Sequence, residues 1–128
     1  MTGFWIFMLV MVLLVPLTMM LFGYLFYFKP PKNINGIYGY RTKRSMKNSQ
    51  TWEFAHEHCG WLWMRFGAVL FAISLFCMNR VRGMDVDAVG IWGGVFVTIQ
   101  SVFLVLTIPL TERALRKNFD EYGMKKEQ

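Results

Sequence analysis

Charge and cysteine are what this sequence has least of. Of its 128 residues only 17% are charged, and eight are acidic, which is low for a soluble domain. Residues 4–28, FWIFMLVMVLLVPLTMMLFGYLFYF, contain no charge at all, and neither do residues 88–110, AVGIWGGVFVTIQSVFLVLTIPL. Two cysteines, Cys59 and Cys77, are too few for a disulfide framework. On one helix they would stand roughly 27 Å apart and could not bond, so they read as free thiols acting as small apolar residues. Also absent are a nucleophile elbow, a Walker loop, paired catalytic carboxylates and a zinc-protease helix. The common hydrolase and nucleotide-dependent chemistries have no foothold here.

What is present is apolar surface, 55% of the chain, gathered into runs. As a helix, residues 4–28 would reach roughly 37 Å, enough to cross a bilayer with some tilt. Residues 61–78, WLWMRFGAVLFAISLFCM, have the length of a span but carry Arg65. The pattern predicts an all-α membrane protein forming a single domain over residues 1–128. Its transmembrane helices lie at about 4–28, 61–78 and 88–110. A structured loop and interfacial helix occupy 29–60, and a tail occupies 111–128. No Lys or Arg precedes the first run, which ends in LFYFKPPK, so it reads as a retained anchor rather than a cleaved signal. Pro16 should kink that helix, and a neighbour must satisfy the carbonyl it frees.

Placement of the cations gives orientation. Lys29, Lys32, Arg41, Lys43, Arg44 and Lys47 lie in the first loop, and Arg113, Arg116, Lys117, Lys125 and Lys126 in the tail. The second loop has only Arg80 and Arg82, beside Asp85 and Asp87. The positive-inside rule then puts the first loop and the C-terminus in the cytoplasm and the N-terminus outside. Trp5 and Trp92 fall toward the outer interface, and Trp52, Trp61 and Trp63 toward the inner one. The net charge of +6 is thus a topology signal and implies no nucleic-acid partner.

Three groups of residues invite a chemical reading. In EFAHEHC, Glu53, His56, Glu57, His58 and Cys59 are all metal-capable types. On a helix, however, His56 and His58 point about 200° apart, and a site would need ligands from elsewhere. The expectation is therefore no metal and no cofactor, the alternative being a small metal-dependent membrane enzyme using Glu53, His56, Glu57 or His58. A lipid- or ion-transport component would need a polar path, which the apolar first and third runs disfavour. Arg65 lies about one turn inside its apolar run, where a cation must pair or snorkel, and Glu112 at the end of the third run is its expected partner. Gly90 and Gly94, with Thr98 and Ser101 near the same stripe, permit close helix packing within the bundle or in a homodimer.

The loop itself is the least ordinary stretch. Asn35-Gly36 and Gly39 are turn formers, and Asn48 is a fitting N-cap for a helix that either leads straight into the second span or bends at Gly60. Arg41, after Tyr38-Gly39-Tyr40, is expected to be shielded by the flanking rings, with Lys43, Arg44 and Lys47 as a solvated collar near anionic headgroups.

The block PPKNINGIYGYRTKRSMKNSQTW followed by FAHEHCG resembles the motif of the SdpI family of bacterial membrane proteins. The matching positions are Pro31, Asn35, Gly39, Arg41, Thr42, Ser45, Trp52 and His56, with Tyr40 and Asn48 beside them in the same block. The tail TERALRKNFDEYG is also similar, through Glu112, Phe119, Asp120 and Gly123. The chain resembles only the motif-bearing half of the longer member for which the family is named. The resemblance implies a non-catalytic recognition protein in immunity or resistance to a membrane-active toxin peptide, with signalling as a further role. Its partners would be membrane lipids and a toxin peptide or cytoplasmic protein.

Overall fold

Each helix starts and stops where the local chemistry dictates. The structure, a computed structural model, describes residues 2–126. Helix α1 (Thr2–Phe28) stops before Lys29-Pro30-Pro31, because prolines have no N–H to continue the ladder. Helix α2 (Ser49–Arg80) begins on a capping box. Asn48 Oδ1 accepts from the Thr51 N–H at 2.9 Å, and Thr51 Oγ1 accepts from the Asn48 N–H at 3.1 Å. Helix α3 (Val86–Asn118) begins on Asp85, whose carboxylate accepts from the Ala88 N–H at 2.8 Å. All three are long and apolar enough to cross a membrane, and their outward faces carry large exposed apolar side chains. The chain is an all-helical, multi-pass membrane protein.

The structure decides one open expectation for α2 and departs from another for α3. Helix α2 runs through Gly60 without a break, so interfacial segment and span form one continuous helix. The reason is close packing. A β-carbon at Gly60 would lie 2.6 Å from the Gly23 carbonyl oxygen, and one at Gly23 would lie 2.8 Å from that of Gly60. These glycines let α1 and α2, the most extensively packed pair, touch backbone to backbone. Helix α3 continues beyond its apolar run to Asn118, since Thr111 and Leu115 are buried on its inner face. Gly90 and Gly94 do not make a close contact in the bundle. Gly90 lies loosely over Phe4, at 3.7 Å for an added β-carbon, and Gly94 has nothing within 4 Å, whereas Gly93 packs on Met8.

The middle of the bundle answers the question raised by Pro16. That proline leaves the Val12 carbonyl without its helical donor. Gln100 of α3 supplies one, its Nε2 lying 2.9 Å from Val12 O and 2.7 Å from Ser74 Oγ of α2. One buried amide thus ties all three helices. At one end, Trp5 Nε1 donates to the Met78 carbonyl at 2.8 Å. At the other, residues 119–126 hook back through a bridge between Phe119 and Lys125. Asn48 Nδ2 catches this hook by donating to Gly123 O at 2.7 Å. The first loop and the segment after α3 therefore share one end of the bundle.

Candidate recognition site

The loop 29–48 is bonded onto the helices at Pro31 and again from Tyr40 to Asn48. Asn35 Oδ1 accepts from the N–H groups of Ile37 (3.0 Å) and Tyr38 (2.7 Å), the side-chain-made turn its residue type favours. The Pro31 carbonyl accepts from Trp52 Nε1 at 2.8 Å, so Trp52 is buried beneath the loop rather than placed in an interfacial belt. The Tyr38 ring packs against Phe22 and Phe26 of α1.

Gly39 is the pivot. Its φ is +120°, and a β-carbon there would come 2.5 Å from His56 Nε2 and 3.1 Å from the Trp52 ring. Only glycine allows both the conformation and the approach. The close passage delivers the Tyr40 N–H to His56 Nε2 at 2.8 Å, while His56 Nδ1 lies 2.7 Å from the Trp52 carbonyl. These partners assign the proton to Nδ1 and occupy both ring nitrogens.

From Tyr40 the loop reaches across to α3. Tyr40 OH donates to Glu112 Oε2 at 2.7 Å, and Thr42 Oγ1 donates to the same oxygen at 2.9 Å. Burial, reinforced by the Glu112 carboxylate, raises the Tyr40 phenol above its ordinary range, which keeps it protonated as a donor. Ser45 is buried inside the turn, where its Oγ donates to Tyr40 O at 2.8 Å and accepts from the Thr42 N–H at 2.9 Å. Thr51 Oγ1 then closes onto Ser45 O at 3.0 Å.

Two sequence expectations are corrected at this site. Glu112 faces Tyr40, Thr42 and Arg44, whose Nε stands 4.0 Å from Oε1, and it does not pair with Arg65. Arg65 is exposed on the far side of α2, its guanidinium 4.4 Å from the centroid of the Trp61 ring. Stacking on the Trp61 ring is the compensation open to a guanidinium near the membrane interface that has no carboxylate partner. Arg41 is not shielded either. Tyr40 takes the inward position toward Glu112, and its neighbour Arg41 is exposed, with no hydrogen bond or ion pair among the described residues.

In EFAHEHC the helix separates what the sequence lists together. His56 is buried under Gly39, Glu53 and Glu57 are exposed, and His58 lies on another face, stacked on Phe54. Among the described residues no three His, Cys, Asp or Glu side chains are grouped to hold a metal ion. Beside the loop, a cleft of about 470 Å³ is lined by Lys43, Arg44, Lys47, Glu112, Asp120 and Tyr122, among others. Sequence reasoning pairs Glu112 with Arg65 instead of with Tyr40 and Thr42, and it misses Gln100 altogether. A lone amide in an uncharged run, with a proline-freed carbonyl in another, is the signal that would have found it.

A model of the SdpI/YfhL protein family matches residues 32–111, more than half of the chain. A protein of Bacillus subtilis (strain 168), named "Uncharacterized protein YfhL", is 39% identical over 57 residues. That alignment covers 44% of this chain and 52% of the relative, so it spans about half the relative's length. No solved structure matches the chain.

Proposed function

This chain belongs to the SdpI/YfhL protein family, and we propose that it acts as a non-catalytic recognition protein that protects its membrane against a membrane-active peptide. The observation that carries this reading is how the motif residues are used. Asn35 and Ser45 are spent on shaping the loop itself, and Pro31, Gly39, Tyr40, Thr42, Asn48, Trp52 and His56 on fixing it to the helices. Arg41 alone among them is exposed and unbonded within the described residues. A docked loop whose one unspent motif side chain is a guanidinium is built to present that group. Its planar fork suits carbonyl or carboxylate acceptors of a peptide, and the cationic cleft residues Lys43, Arg44 and Lys47 lie in the same turn.

The reading supports an orientation with loop and C-terminus in the cytoplasm, where the peptide would be met at the inner surface or after crossing. The test is complementation. Host cells lacking the gene and carrying the wild-type chain should survive a panel of membrane-active peptides better than cells carrying Arg41→Lys at equal membrane abundance. Equal survival with wild type, Arg41→Lys and empty vector for every peptide would end the proposal.

A further inference from the structure

A second basic surface lies away from the motif loop. Between α2 and α3, at the same end of the bundle, His58, Arg113, Arg116 and Lys117 line a cleft of about 630 Å³ together with the apolar Leu62 and Leu110. None of its three cations has a carboxylate within salt-bridge distance among the described residues. The preference of basic residues for a helix C-terminus accounts for Arg116 and Lys117 in the last turn of α3, but not for Arg113 or His58. His58 is held by stacking on Phe54, and its Nδ1 is buried without a hydrogen-bond partner. An unsatisfied buried nitrogen is costly unless a ligand completes it.

The placement identifies the kind of ligand. Leu110 is the last apolar residue of the uncharged run on α3, and Arg113 is the first cation after it. The cleft therefore straddles the level where hydrocarbon gives way to headgroups, with apolar wall on the membrane side and cations on the water side. We infer that this cleft binds an anionic phospholipid, the phosphate held by Arg113, Arg116, Lys117 and His58 and an acyl chain lying along Leu62 and Leu110. Basic recesses between transmembrane helices take acidic headgroups for this reason, each cation adding to the attraction. The inference does not depend on what the motif loop recognises.

Native mass spectrometry of the full chain in neutral detergent tests it, with phosphatidylglycerol and phosphatidylcholine as probes. Phosphatidylglycerol should be retained at least about tenfold better than phosphatidylcholine. The triple variant Arg113→Gln/Arg116→Gln/Lys117→Gln should lose that preference, and Arg113→Gln alone should weaken it severalfold. A control of equal charge, Lys29→Gln/Lys32→Gln/Lys43→Gln, should keep it. Retention by the cleft triple, or equal loss in the control, would overturn the site. Displacement of the lipid by inorganic phosphate at matched concentration would overturn it in favour of a free-anion site.

Discussion

Gly39 and Tyr40 carry more of the structure than their neighbours, and for different reasons. Gly39→Ala places a β-carbon against His56 at a positive φ. We expect a loss of about 1–3 kcal/mol, read as a lower unfolding midpoint in detergent. Tyr40→Phe keeps the ring and removes a donor from the Glu112 carboxylate. Leaving that acceptor short of a partner should cost a similar amount, about 1–3 kcal/mol. Midpoints unchanged in both variants would mean the loop is not docked. The glycine was legible as a turn former, since Tyr-Gly-Tyr announces a bend. That its bend presses onto His56 was not, because contact across sixteen positions of sequence leaves no local trace. The sequence makes Arg41 the shielded member of the pair and Tyr40 the shield, and the packing reverses them. Which of two adjacent side chains turns inward depends on the Glu112 acceptor waiting on another helix.

Among the elements, the first and third spans are plain in runs without charge, and the cap of α2 in Asn48. Their mutual arrangement is not, because small residues recur on several faces. Gly90 and Gly94 had the textual spacing for close approach, but Gly23 and Gly60 make it. Their partners lie on different helices, and periodicity within one helix cannot register that. The link between Pro16 and Gln100 is the sharpest prediction at this scale. Gln100→Leu strips the Val12 carbonyl of its donor in the middle of the bundle and should cost about 1–2 kcal/mol. Pro16→Ala returns a helical N–H to that carbonyl. In its background Gln100→Leu should therefore cost less, a coupling visible in a double-mutant cycle of unfolding free energies. Strict additivity would contradict the proposed exchange of donors.

For the whole molecule, the bonds from Asn48 to Gly123 and from Trp5 to Met78 sort the chain into two ends. One collects the first-loop and tail cations, and the other holds the short second loop with Arg80 and Arg82. With this asymmetry we predict a cytoplasmic C-terminus. A reporter fused after Gln128 should be active only if it is of the kind that works in the cytoplasm. The central claim at this scale is that the motif folds a cap whose purpose is to present Arg41. Measuring unfolding midpoint and peptide survival on the same two variants, Arg41→Gln and Tyr40→Phe, tests it most directly. The account predicts that Arg41→Gln unfolds within about 0.5 kcal/mol of wild type, as an exposed unbonded residue should, yet protects no better than empty vector. Tyr40→Phe should unfold early and lose protection only as its folded fraction falls. An Arg41→Gln chain that protects like wild type, or that unfolds as early as Tyr40→Phe, would contradict it.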